Sequence, residues 1–186
     1  MDQISNASRE RVQIHLGVRA AGLGAAAAPT SGARSSTRLG WREVLANAAS
    51  EVFEIMVGSS LEPAAEGDSH VLADFTAMVG IAGTVCGVFG FRASAESAKR
   101  MAALMLGVDE VGATENVPDA FGEICNMIAG SFKSKIARLA DGCALSVPTV
   151  ISGRDYALYS LANGERFEVT LSFEGHPISV TLDLHM

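Results

Sequence analysis

Between Asp74 and Arg92 the chain runs from Phe75 to Phe91, 17 residues, without one charged side chain. A run of that length has to be buried, in lipid or in a core. A membrane-spanning helix needs about 20 apolar residues. This run is shorter, and Gly80, Gly83, Gly87 and Gly90 lie among its Val, Ile, Thr and Phe residues. Glycine weakens a helix, whereas β-branched and aromatic residues suit strands. It therefore reads as two buried strands, roughly 70–81 and 84–92, with a tight turn near Ala82-Gly83. No membrane span is expected.

The flanking segments supply helices. Trp41 to Val57 carries Val44, Leu45, Ala48, Val52, Ile55 and Met56 at helical spacing, the pattern of an amphipathic helix. A Pro/Gly/Asp loop follows at 62–68. A second helix is predicted over about 94–106, with Ser94 as N-cap. A third, long helix runs from about 115 or 118 to 139, with Pro118 in its opening turn and Gly142 just past its end. The remainder is strand-like. Ala144 to Gly153 contains Pro148 and reads as an edge or interrupted strand. Arg166–Phe173 and Ile178–Leu184 alternate apolar and polar residues around a Glu174–Pro177 turn. The predicted class is α+β, an antiparallel sheet with long helices on one face. Each half opens with a long helix and continues into strands, so two pseudo-repeated halves are expected.

Charge divides the chain in another way. The 186 residues hold 14 Lys+Arg and 21 Asp+Glu, a net charge of -7. Five arginines against Asp2 and Glu10 give residues 1–40 a charge of +3, which leaves -10 on the other 146 residues. An acidic body excludes nucleic acid as the primary partner. The first 40 residues, rich in Ala, Gly and Ser, bury too little apolar surface to offset ordering. They read as a disordered basic extension, with a short helix at most over 9–16 and no signal peptide, since Arg19 and several glycines interrupt any apolar core. Residues 41–186 form the folded domain. Three cysteines do not make a disulfide framework, which points to a reducing, cytoplasmic setting. His15, His70, His176 and His185 lack metal-ligand spacing. No metal or cofactor is expected on this chain.

The long third helix carries the candidate chemistry. Asp119, Glu123, Asn126 and Gly130 fall within about 60° of one another, and Phe121, Ile124, Ile128 and Phe132 lie on the opposite side. An exposed Glu and Asn are ordinary on a solvated helix face. Gly130 is not ordinary, because a glycine inside a helix costs on the order of 1 kcal/mol relative to alanine. Glu123 and Asn126 are i,i+3 neighbours and can reach one target together. Asp119 either shapes the start of a docking surface or helps cap the helix. Cys86, Cys125 and Cys143 read as buried and inert, and Met101, Met105 and Met127 as packing. Lys133 and Lys135 suit a helix C-terminus, and His176 sits in a turn.

The stripe and its setting, Asp-Ala-Phe-Gly-Glu-Ile-Cys-Asn-Met-Ile-Ala-Gly-Ser, resemble the signature helix of the CheX/CheC/FliY chemotaxis phosphatases. So do Asp74-Phe75-Thr76-Ala77-Met78-Val79-Gly80-Ile81-Ala82-Gly83, Leu145-Ser146-Val147-Pro148-Thr149-Val150 and Gly153. The likeness covers about residues 41–184. It implies removal of phosphate from the aspartyl phosphate of a CheY-like receiver domain. Asn126 would hold water in line with phosphorus, and Glu123 would pair with the receiver's lysine. Asp119 and Gly130 would belong to the docking surface, and Mg2+ would belong to the receiver. The residue types suit the task. A neutral amide orients water without repelling phosphate, and phosphoryl transfer needs positioning more than a strong base.

In the same register the first helix offers Ser50, Glu54, Val57 and Leu61, with no amide and no glycine. That half reads as inactive, which resembles single-site CheX more than two-site CheC. The resemblance also implies a homodimer paired through its sheets. The alternative is a non-catalytic module that holds a receiver or a flagellar-switch component on the same helix. A purely structural dimer would bind no receiver.

Overall fold

In the computed structural model, which describes residues 13–16, 40–64, 71, 73–154, 156–160 and 163–185, a short strand β1 (Gln13–Leu16) precedes the first long helix, α1 (Trp41–Val52). A π-helical turn, Phe53–Val57, continues α1. Strands β2 (Leu61–Pro63), β3 (Phe75–Gly83) and β4 (Cys86–Ala93) follow. Next come α2 (Ala95–Leu106), a short α3 (Glu110–Ala113) and a 3-10 turn, Thr114–Asn116. The long helix α4 is Val117–Lys135, and α5 is Ala137–Ala140. Strands β5 (Cys143–Leu145), β6 (Thr149–Ser152), β7 (Ala157–Ser160), β8 (Arg166–Phe173) and β9 (His176–His185) complete the order.

The main sheet runs β2-β8-β9-β4-β3-β5, with β6 also on β3, and its pairings are antiparallel. The order is pseudo-symmetric about the central β4–β9 pair. Each half gives one hairpin, β3–β4 or β8–β9. The short strand after each long helix, β2 or β5, joins the outer edge of the other half's hairpin. The expected α+β class and two-part repeat are both present.

Strand alternation builds the core. Ala77, Val79 and Ile81 of β3, Phe89 and Phe91 of β4, and Ile178, Val180 and Leu182 of β9 are buried with Leu45, Ala48, Phe53, Phe121, Ile124 and Phe132 of the helices. The other face of the sheet carries Thr76, Arg92, Arg166, Thr181 and Asp183. Arg166 and Asp183 pair there at 3.1 Å. Burial pushes the Asp183 carboxyl above its usual range against the pull of Arg166.

Several boundaries differ from the sequence reading. The β3–β4 turn falls on Thr84-Val85, because β3 continues through Gly83 to pair with Cys143. Gly83 has φ +148°, and a Cβ there would overlap the Gly142 carbonyl oxygen. The β8–β9 reversal needs only Glu174 and Gly175, with φ +47° and +84°, as in a two-residue turn with both residues left-handed. His176 and Pro177 therefore belong to β9, and His176 is not a turn residue. Helix α4 stops at Lys135, since Ile136 is extended at φ -115° and ψ 103°. The strand expected around Pro148 is interrupted there. Ser146 spans the break, accepting from the Gly80 N–H through Oγ at 2.8 Å and donating its own N–H to the Gly80 carbonyl at 2.9 Å.

Ser94 caps α2 as expected, its hydroxyl accepting from the Ser97 N–H at 3.1 Å. Residues 13–16 form a strand parallel to β7, not part of a helix. The remaining residues up to Arg38, read as a disordered extension, lie outside the described residues, as does most of the 62–68 loop beyond the short edge strand β2. Among the described residues no helix is long and apolar enough to cross a membrane.

Candidate functional site on the long helix

Helix α4 is held by its aromatic face. Phe121 stacks on Phe91 at 4.5 Å and meets Phe75 edge-on at 5.7 Å. About two turns of helix further on is Ile128, then Phe132, which meets Trp41 of α1 at 5.6 Å and Phe89 at 5.3 Å, both edge-on. Such pairs add about 0.5–1.5 kcal/mol each beyond area burial. Arg138 lies over the Trp41 ring at 4.9 Å. Phe121, Ile124, Ile128 and Phe132 are almost wholly buried. The opposite face is thereby fixed toward solvent.

On that face Asp119 and Glu123 are exposed, and Asn126 and Gly130 are half-buried. The amide nitrogen of Asn126 donates to a Glu123 carboxylate oxygen at 3.5 Å. That is the long limit of a hydrogen bond, so the contact aligns the pair without locking either head. Asp119 lies in the first turn, and the N-cap Asn116 makes no side-chain cap bond. A carboxylate there favours the positive end of the helix dipole.

The two glycines of α4 answer the question of why a helix keeps them. A Cβ on Gly122 would meet Val150 Cγ2 at 3.1 Å and Pro148 at 3.5 Å, so packing against β6 accounts for it. A Cβ on Gly130 would meet nothing within 4 Å. Among the described residues no neighbour explains Gly130.

Gly130 and Asn126 line an open groove of about 440 Å³, whose other walls are Glu51, Val52 and Ile55 of the first helix with Met127, Ser131 and Leu145. Glu51 is engaged from across the groove, 2.7 Å from Lys135 Nζ and 3.3 Å from the Ser131 hydroxyl. The Lys135 hydrogen bond holds the Glu51 carboxyl below its usual range. Lys135 is thus tied to α1. Among the described residues no group of three or more His, Cys, Asp or Glu is placed to hold a metal.

A family model described as Chemotaxis phosphatase CheX matches residues 75–172, which include the whole of α4. The chain belongs to the chemotaxis phosphatase CheX family. It is 32% identical over 114 residues to the CheY-P phosphatase CheX of Thermotoga maritima, covering 59% of this chain and 68% of that protein. Its fold matches the crystal structure of the chemotaxis protein CheX from Vibrio vulnificus, with TM-score 0.69, 21% identity, and coverage of 80% of this chain and 98% of that one. It also matches the CheX of a Borrelia burgdorferi CheX-CheY-BeF3-Mg2+ complex, with TM-score 0.63, 22% identity, and coverage of 78% and 98%.

Within this CheX-family domain the first helix departs from its expected register. Val57 is buried rather than standing at a surface position, and Leu61 belongs to β2 rather than to a helix face. Glu54 is exposed. Ile55, counted in the apolar stripe from its spacing, is 77% exposed. Cys125 and Cys143 are buried, but Cys86 is only half-buried. Sequence periodicity missed Glu51, Ser131 and Leu145 as groove residues, and it missed Ile55 because the π turn that aims it outward leaves no mark in the residue pattern.

Proposed function

We propose that this CheX-family protein is a phosphatase of response regulators, removing phosphate from the aspartyl phosphate of a CheY-like receiver. Docking lays α4 across the receiver's phosphorylation site. Asn126 accepts a hydrogen bond from a water through its carbonyl and directs the water oxygen at phosphorus, opposite the aspartyl oxygen. The new P–O bond forms as the bond to the aspartyl oxygen breaks, releasing inorganic phosphate and a free carboxylate. Glu123 pairs with a lysine of the receiver, an attraction that a carboxylate facing the phosphate would forfeit to repulsion. In this reading the divalent cation sits on the receiver and offsets phosphoryl charge when bound.

The observation that carries the proposal is the pairing of Glu123 with Asn126 beside Gly130, a helix position open to a partner and unexplained by packing. The phosphatase named in the T. maritima relative and the CheY captured in the B. burgdorferi complex support it. Phosphate release from receivers charged with acetyl phosphate, measured with and without this protein, tests it. No acceleration on any receiver of the same cell would leave only a binding role.

The same reading places the protein in the cytoplasm, where receivers act, and as a homodimer paired through sheet edges. Sedimentation at several concentrations checks the second point.

A further inference from the structure

The half of the molecule that lacks the Glu and Asn pair nonetheless supplies one wall of the groove beside it. In an uninterrupted α-helix Met56 would follow Val52 onto the core at i+4. The buried residue here is instead Val57, at i+5, within the π turn Phe53–Val57; Met56 is half-buried and Ile55 is turned out to 77% exposure. Gly58 closes the turn at φ +70°, its N–H returning to the Phe53 carbonyl. Lone exposed apolar residues are common and mean little. A π turn is rare, and such insertions recur at functional sites. This one points an isoleucine into the groove that Asn126 and Gly130 also line.

The groove's chemistry selects its occupant. Met127, Val52, Ile55 and Leu145 make it apolar. Its carboxylate, Glu51, is already matched by Lys135 and Ser131, so no unpaired charge waits there for a cationic guest. Resting on the phosphatase reading, we propose that Ile55 is a specificity-determining contact. It receives an apolar side chain of the receiver, next to the phosphorylated aspartate that Asn126 serves. The duplicated half has thus kept a part in recognition after lacking the chemistry.

The test uses Ile55→Ser in the full chain, with Val111→Ser as a control of equal exposure, 78%, outside the groove. Binding of a beryllofluoride-activated receiver is measured by calorimetry, and phosphate release from the same receiver charged with acetyl phosphate gives KM and kcat. Ile55→Ser is expected to raise both Kd and KM at least fivefold, with kcat within twofold of wild type and an unchanged melting midpoint. Val111→Ser should match wild type. Wild-type turnover with equal Kd and KM for Ile55→Ser overturns the contact and leaves the phosphatase reading standing, and so does equal weakening by Val111→Ser. Weaker binding by Ile55→Ser without turnover by wild type upholds the contact and overturns the phosphatase. Neither binding nor turnover by wild type overturns both.

Discussion

The Asn126 amide nitrogen stands 3.5 Å from a Glu123 carboxylate oxygen, one helical turn apart on the solvent face of α4. With the amide nitrogen toward the acid, the Asn126 carbonyl is the atom that the proposed mechanism offers to water. In the proposed mechanism the two residues have separate tasks, so they should fail differently. Asn126→Ala is expected to lower kcat for receiver dephosphorylation at least tenfold with little change in KM. Glu123→Ala is expected to raise KM chiefly. Steady-state phosphate release for both variants measures the split, and an unchanged kcat for Asn126→Ala would remove the amide from the mechanism.

Gly130 can be tested apart from catalysis. Its Cβ position is empty, and alanine is favoured over glycine in a helix by about 0.5–1 kcal/mol. Gly130→Ala should therefore raise unfolding stability by roughly that amount in urea titrations. Gly130→Leu should fold equally well and raise KM for the receiver at least tenfold, because its side chain would project where the proposed docking brings the receiver. Gly122→Ala must push Val150 Cγ2 from 3.1 Å, so it should gain less than Gly130→Ala. Equal gains at both positions would remove the contrast on which the docking surface rests.

Much of this was legible in the residues. Alternation in Arg166–Phe173 and the uncharged run Phe75–Phe91 gave central strands because each strand buries a whole face. The stripe on α4 was legible because its apolar partners recur with helical period. Three kinds of feature were not. The π turn changes register without changing composition, so Ile55 carried a core signature and lies outside the core. The edge strands β1, β2 and β7 are three or four residues long and take their order from a neighbour's backbone. The turn position at 84–85 depends on a tertiary contact, as Gly83 against Gly142 shows, and the one at 174–175 on left-handed backbone at both residues.

Cys125 offers a pH-dependent test of the core behind the site. Its thiol points to the Ala77 carbonyl, Sγ to O 3.6 Å, and burial pushes its pKa up from 9.0 to about 12. Above pH 9 the unfolded chain has lost this proton while the native chain retains it. Stability contributed by the buried neutral thiol is complete below pH 9 and declines as pH rises toward 12, by about 1.4 kcal/mol per unit within the window. Cys125→Ala lacks that slope. The stability gap between the two chains should narrow by that amount per unit above pH 9 in urea titrations, and a constant gap would contradict the burial. At pH 8 the half-buried Cys86 should be alkylated first, with Cys125 and Cys143 protected in peptide maps.

The basic segment is the last test, and β1 changes what it asks. A segment read as disordered, with a short helix at most over 9–16, contributes Gln13–Leu16 as a strand alongside Ala157–Ser160. That pair forms its own two-stranded sheet, separate from the seven-stranded one, and the groove by Asn126 is lined by described residues of α1, its π turn, α4 and β5. Deleting residues 1–38 should therefore leave kcat and KM for the receiver within about twofold, since the ring contacts described for α4 lie with Trp41, Phe75, Phe89 and Phe91, all outside the deleted segment. It should also free the β7 backbone groups that β1 engages, so amide exchange at 157–160 should quicken while exchange in β4 and β9 stays slow. A loss of activity beyond fivefold with unchanged exchange in the central strands would mean that the basic segment reaches the receiver itself, and the +3 charge would then belong to the docking surface.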